Sequence, residues 1–262
     1  MTRLRTEELV LRYGSGRNAG PDVVRDVSLD VPDGKVTVLI GANGCGKSTL
    51  FAGLTRLMTP ASGRVLLDDA DIASEPTRDV AKKVALLPQN PLAPEGMSVA
   101  ELVRQGRTPH LGLLGRGGPE DDEVVAEAMR VTGVDDLAER PVDELSGGQR
   151  QRVWLALALA QDTDILLLDE PTSFLDIGHA VELLDVVRRR NAERGTTVVM
   201  VLHDLFLAAR YADHLVAMSD GQIVAQGAAA EVLTAELAKR LYGIECVVLE
   251  DPSTGRPVVL PR

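Results

Sequence analysis

The chain has 262 residues, of which 45% are hydrophobic, 26% charged and only 3% aromatic. That is enough for one sizeable core with a subdomain, and a net charge of −11 speaks against a chain-wide nucleic-acid surface. The two cysteines, Cys45 and Cys246, speak against a structural disulfide because one lies inside a glycine-rich loop, and they fit a reducing compartment. Residues 1–8 hold no apolar core for a signal peptide, and no stretch nears the roughly eighteen apolar residues of a membrane span. A protein that is soluble, or peripheral to a membrane through a partner, is expected.

Leu4–Tyr13 and Asp26–Val31 read as strands joined by a Gly/Asn/Pro loop at 14–21, the second alternating apolar and polar residues as a half-buried strand does. Asp33-Gly34 turns into Val36–Ile40, an apolar run that reads as a buried strand. Gly41-Ala42-Asn43-Gly44-Cys45-Gly46-Lys47-Ser48-Thr49 follows, and then a helix start at Leu50–Leu54. Ser62-Gly63 turns into a strand at Arg64–Leu67. After Val84–Leu87 the texture changes: prolines 88, 91 and 94 mark a loop, and Ser98-Val99-Ala100-Glu101 is a capping box that opens a helix. From there to Ala160 the chain reads as helical. Pro119–Thr132 sets Val124, Val125, Ala128 and Met129 on one face, with Gly133 as C-cap.

Strand and helix then alternate again. Ile165–Asp169 is a fully apolar run ending in a carboxylate, as in a buried parallel strand. Gly178–Arg194 is an amphipathic helix ending at Gly195, and Arg188-Arg189-Arg190 within it reads as a solvated face. Thr197–Leu202 is a second buried strand, Leu205–Tyr211 a short helix, Leu215–Met218 and Gln222–Ala225 strands around Asp220-Gly221. The tail, with Val247–Leu249 and Val258–Leu260 around a Pro-Ser-Thr-Gly turn, forms a small hairpin on this reading. The fold class is α/β: a parallel-sheet core with an antiparallel β subdomain and an inserted helical subdomain. One domain over 1–262 is expected, its core at 1–90 and 161–262 and its helical subdomain at 91–160.

Strand, glycine loop and helix make the context of a phosphate-binding loop. Glycines let several N–H groups converge on one anion, and the helix N-terminus adds its dipole. Lys47 would reach the β- and γ-phosphates, and the Ser48 hydroxyl would ligate Mg²⁺. Hydrolysis needs Mg²⁺ and a positioned water; Asp169 and Glu170, at a strand end where ligands bind in such sheets, would hold the metal and act as general base. His203 ends another buried strand and would contact the γ-phosphate, whereas His110, His179 and His214 lack such a setting and read as structural. Gln89 follows a strand and lies beside two prolines, where an amide either ligates Mg²⁺ and touches the attacking water or is a plain loop residue. Tyr13, at a strand end in an aromatic-poor chain, is either a stacking platform for adenine or a sheet-edge core residue. Leu145-Ser146-Gly147-Gly148-Gln149 is a second anion-cradling helix start, with Ser146 as N-cap. Two such cradles in one chain are explained if each serves a different nucleotide across a symmetric dimer.

In this order, Gly41–Thr49, Gln89, Leu145–Gln149, Ile165–Glu170, Ser173–Asp176 and His203 resemble the Walker A, Q-loop, LSGGQ signature, Walker B, D-loop and H-loop of an ABC ATPase domain, with Tyr13 as the A-loop aromatic. The match spans nearly the whole chain. The resemblance implies an ATPase with ATP and Mg²⁺ as cofactors, with Asn43 to Thr49, Ser146 to Gln149 and Asp176 in contact with nucleotide. It implies two chains sandwiching two ATP molecules, the signature of one facing the phosphate loop of the other. It also implies that Gln89 and the helical part from Pro91 onward couple ATP to a membrane partner. Phe174 departs from the family, where many members have alanine.

Residues 38–50, Ser173–His179, Val201–Leu205 and Ala208–His214 are similar to the ATP-binding subunits of ferric-siderophore importers. That narrower resemblance implies import of an iron–siderophore complex, with a second ATPase subunit, two transmembrane permease subunits and, indirectly, a substrate-binding protein as partners, and no nucleic acid. The place implied is the cytoplasmic face of the bacterial plasma membrane. Haem, cobalamin or an exported cargo are the alternatives, and a non-transport ABC ATPase a further one; the single phosphate loop and the absence of sustained heptads speak against the last.

Overall fold

A computed structural model describes residues 2–14, 16, 19–112 and 117–262. Residues 15, 17 and 18 of the expected loop at 14–21, and 113–116 of the expected helical stretch, lie outside the described residues. In chain order the first elements are β1 (Leu4–Arg12), β2 (Asp22–Val31), β3 (Val36–Ile40), α1 (Lys47–Leu54), β4 (Ser62–Leu67), β5 (Ala70–Asp71), α2 (Thr77–Lys83), β6 (Val84–Leu87), α3 (Val99–Arg104), α4 (Pro119–Thr132) and α5 (Gly147–Ala160). There follow β7 (Ile165–Leu168), α6 (Ile177–Arg194), β8 (Thr197–Val201), α7 (Leu205–Tyr211), β9 (His214–Ser219), β10 (Gln222–Gly227), α8 (Ala229–Val232), α9 (Ala235–Tyr242), β11 (Cys246–Glu250) and β12 (Pro257–Pro261).

The chain forms two compact units, one from Met1–Glu75 with Thr197–Arg262, the other from Pro76–Thr196. In the first, an antiparallel sheet runs in the order β2-β1-β4-β5. Its alternation is broken by bulges: Glu8 and Asp26 take left-handed backbones at φ 47° and 51°, and the pairing of β1 with both neighbours shifts register beside Glu8. A bulge inserts an extra residue and re-aims the side chains after it. β2 starts at Asp22, four residues before the alternating stretch suggests, because the irregular backbone at Asp26 interrupts the alternation within the strand. Gly63 sits across from the bulge; a Cβ there would lie 2.2 Å from the Glu8 carbonyl oxygen.

The same unit holds β3 between β8 and β9, parallel to both, with β10 closing an antiparallel hairpin on β9. All residues of β3 and of β8 are buried, as strands covered on both faces must be. The tail is the expected hairpin, β11 pairing antiparallel with β12 from Cys246↔Pro261 to Glu250↔Pro257.

In the second unit β6 and β7 pair in parallel, Val84↔Ile165 through Leu87↔Leu168. The helices start and stop where capping chemistry allows. Ser98 and Glu101 close a reciprocal capping box on α3, and α4 opens on Pro119 with three acidic residues in its first turn and ends at Gly133, φ 65°. Arg107, 8% exposed, donates to Asp121 Oδ1 on α4 at 2.8 Å and to the carbonyl of Ala160, the last residue of α5, at 2.9 Å. Bonding from the Gly118 N–H and then from Arg107 holds the Asp121 carboxyl below its ordinary range.

The arginine triplet on α6 is not simply a solvated face. Arg190 and Arg194 both donate to Asp162, at 2.7 and 2.8 Å, and Arg188 donates to Asn191. Burial opposes ionisation of Asp162, but the Arg190 bond and the charges of Arg190, Arg194 and Arg107 outweigh it and lower its pKa. Only Arg189 of the three is exposed.

Candidate active site

In the first unit the loop between β3 and α1 is shaped by its glycines. Gly41 (φ 150°), Gly44 (78°) and Gly46 (106°) all take backbones that side chains disfavour. Gly46 has the left-handed conformation at the N-cap of α1 and offers no capping side chain. A glycine cap leaves the N-terminal end of α1 open to an approaching group, the arrangement that suits an anion. Lys47 is 5% exposed. Its Nζ donates to the loop's own carbonyls, Gly41 at 2.7 Å and Ala42 at 3.0 Å, and lies 3.8 Å from Cys45 Sγ. The ammonium is thus held inside the loop, close to where phosphates would sit. Asn43, Gly44 and Ser48 are exposed, and Cys45, Gly46 and Thr49 buried. The outer side of the loop is tied down by the β9–β10 turn, where the Gly221 N–H donates to the Cys45 carbonyl at 3.0 Å.

Tyr13 stands one residue beyond β1 and is 57% exposed, with its hydroxyl 3.1 Å from Thr49 Oγ1. It is not a core residue; its ring is presented to solvent and tethered by its hydroxyl to the first turn of α1. His203 also belongs to this unit. β3 and β8 run in register, Leu39↔Val201, and the Leu202 N–H donates to the Leu39 carbonyl at 3.2 Å. Gly41 and His203 therefore leave the same carboxyl edge, the edge where ligands bind in open α/β sheets. His203 is exposed, and Asp204 after it caps α7.

In the second unit the Asp169 N–H donates to the Leu87 carbonyl at 2.8 Å, so Gln89, Asp169 and Glu170 emerge at one edge of the β6–β7 pair. Asp169 is 8% exposed. Glu170 is held at φ 52°, a conformation that costs a β-carbon residue energy and clusters at functional sites. Ser173 Oγ donates to Glu170 Oε2 at 3.1 Å. Ser146 caps α5 in a reciprocal box: its hydroxyl accepts from the Gln149 N–H at 3.3 Å, and Gln149 Oε1 accepts from the Ser146 N–H at 3.1 Å. Gly147 and Gly148 lie close to the 173–176 segment, where a Cβ would meet Phe174 and Leu175 at 3.6 and 3.2 Å. Asp176 caps α6, accepting from the backbone and then the ring of His179 at 2.9 and 2.8 Å, which lowers its pKa. His179 is thus a partner of a site residue, and His110 bonds the Gln161 carbonyl.

The profile of the ABC transporter family matches residues 24–173. The chain is 49% identical to the ferric enterobactin transport ATP-binding protein of Escherichia coli (strain K12), over 100% of this chain and 94% of that one. This chain belongs to the ABC transporter family, among its ATP-binding subunits. It is 48% identical to the achromobactin transport ATP-binding protein of Dickeya dadantii (strain 3937), covering 100% of this chain and 95% of the other. The dimeric structure of a bacterial ABC transporter cassette superposes with a TM-score of 0.77 at 26% identity, covering 86% of this chain and 98% of that chain. The fold is that of the ABC cassette, and the chain is an ATPase of that class.

One residue at the phosphate loop was not singled out from sequence. Tyr242, the last residue of α9, accepts a hydrogen bond from the Gly41 N–H at 3.0 Å. The signal that could have found its helix was present: Thr234 as N-cap, Leu237, Ala238 and Leu241 on one face, Gly243 as C-cap.

Proposed function

We propose that this chain is the ATP-binding and hydrolysing subunit that powers import of an iron–siderophore complex through a membrane permease. The observation that supports the cargo is identity of 49% and 45%, over 100% and 99% of this chain, to relatives named for ferric enterobactin transport and iron(3+)-hydroxamate import. The chain acts as a dimer with a second ATPase subunit, bound to two permease subunits at the cytoplasmic face of the bacterial plasma membrane and served indirectly by a substrate-binding protein. None of its described helices is long and apolar enough to cross a membrane.

Tyr13 stacks on adenine. The N–H groups of Asn43 to Thr49 surround the phosphates, and Lys47 exchanges its bonds to Gly41 and Ala42 for phosphate oxygens. Ser48, Gln89 and Asp169 would hold Mg²⁺: a hydroxyl, an amide and a buried carboxylate are the hard oxygen donors that ion prefers. The metal would supply compensation for charge on the transferring phosphoryl group. Glu170 takes the proton of the attacking water, and His203 donates to the γ-phosphate. Ser146 to Gln149 and Asp176 close over the nucleotide of the partner subunit, so ATP holds the two chains together until hydrolysis releases them.

Glu170→Gln is expected to keep ATP binding, slow turnover at least about a hundredfold and trap an ATP-bound dimer; turnover at the parental rate would refute the base assignment. Growth of a deletion strain on single iron chelates tests the cargo. Loss of growth on one siderophore supports it, whereas normal uptake of every iron chelate, or a defect confined to haem or cobalamin, overturns it.

A further inference from the structure

The family profile ends at residue 173, yet the C-terminal segment reaches the phosphate loop. Gly41 is the hinge between β3 and that loop. A Cβ there would sit 2.3 Å from the Met218 carbonyl oxygen and 2.7 Å from Cys45 Sγ, so its backbone approaches β9 more closely than any side chain would allow. Its two polar groups have different partners. The carbonyl accepts from Lys47 Nζ at 2.7 Å, and the N–H donates to the Tyr242 hydroxyl at 3.0 Å.

We propose that Tyr242 is a positioning residue for nucleotide binding, its hydroxyl fixing the Gly41 peptide that opens the phosphate loop. The proposal rests on the assignment of Lys47 to the triphosphate. When the ammonium turns to phosphate it gives up Gly41 and Ala42, and the Tyr242 bond is then the side-chain restraint left on the Gly41 peptide. Without it the loop enters the bound state with a buried N–H lacking its partner and a less defined hinge, which weakens affinity. Burial raises the Tyr242 pKa, so the phenol keeps its proton at neutral pH.

The segment carrying Tyr242 is anchored. α9 is capped at Thr234 and Gly243, and Lys239 pairs with Glu245 just before β11. After the hairpin turn, the Arg256 guanidinium donates to the carbonyls of Ala209, Arg210 and Ala212 at the C-terminal end of α7. α7 is the helix capped by Asp204, next to His203. One segment thus grips the phosphate loop at Tyr242 and the helix after His203 at Arg256.

The test uses the full chain, with MgATP as the probe for Kd, KM and kcat, beside the melting temperature of the nucleotide-free protein. Tyr242→Phe keeps the ring and removes the hydroxyl. It is expected to raise Kd and KM for ATP about fivefold, with a smaller change in kcat and a melting temperature within about 2 °C of the parent. Tyr242→Ala separates the alternative: if only the ring mattered, Phe would match the parent and Ala alone would be impaired, and that overturns the proposal. Parental Kd and KM in both variants overturn it as well. Failure of the parent chain to bind ATP, or undiminished binding by Lys47→Ala, would instead show that the assignment beneath it is wrong.

Discussion

Removing the Arg107 guanidinium tests how the helical unit is held together. Arg107 is 8% exposed and bridges the start of α4, at Asp121, to the last carbonyl of α5, at Ala160. Arg107→Ala leaves the Ala160 carbonyl without that donor and the Asp121 carboxylate, 17% exposed at its side chain, with only the Gly118 N–H at 2.9 Å among the bonds described here. Breaking a fully buried pair costs roughly 3–5 kcal/mol; water can still reach Asp121, so the lower end applies, about 3 kcal/mol. At roughly 2–4 °C per kcal/mol for a chain of this size, the melting temperature falls by about 6–12 °C.

The pH dependence follows from the direction of the Asp121 shift. Its folded-state pKa lies below the ordinary aspartate value of 3.8. The stabilisation is therefore complete above the unfolded value and is lost as pH falls through the lower, folded one. Urea unfolding of parent and Arg107→Ala between pH 8 and pH 3 should show a constant gap down to about pH 4 and a shrinking gap below it. Asp121→Asn keeps an amide oxygen for Gly118 and should abolish the acid-dependent part. A melting-temperature change under about 2 °C for Arg107→Ala, or a gap that does not narrow in acid, would refute this account of the bridge.

Two further substitutions separate structure from function. Gly41→Ala places a β-carbon 2.3 Å from the Met218 carbonyl oxygen at φ 150°; differential scanning calorimetry should show a loss of about 3 kcal/mol or more, beyond the roughly 1–2 kcal/mol of left-handed strain alone, and no loss would mean the strand-to-loop hinge is soft. Ser146→Ala removes a long 3.3 Å cap bond and should cost only about 0.5–1 kcal/mol, while lowering ATPase activity of the assembled dimer far more; an activity loss no larger than the stability loss would leave the signature with only a capping role.

Much of the fold and site was legible because its signals are local. The capping box of Ser98, the N-cap at Ser146, and Gly133 and Gly195 at helix ends are set by residues within four positions of one another. The buried strands β3, β7 and β8 were legible because unbroken apolar runs have no other place to go. The start of β2 was less legible, since the left-handed bulge at Asp26 breaks the period by which a strand is read. The solvated face of the arginine triplet is legible, but the Arg190 bond is not, since nothing local to α6 signals Asp162, 28 positions away.

By itself, then, the sequence determined that Gly41–Thr49 is a glycine-rich loop between a buried strand and a helix, that Asp169 and Glu170 follow a buried strand, and that Leu145–Gln149 opens a helix. Spacing and chemistry suffice for each. Only the tertiary structure decided what steadies them. Tyr13 and Thr49 meet across 36 positions and Gly41 and Tyr242 across 201. Such contacts depend on how helices and strand ends from distant segments pack together, and no local periodicity encodes which hydroxyl will arrive at which partner.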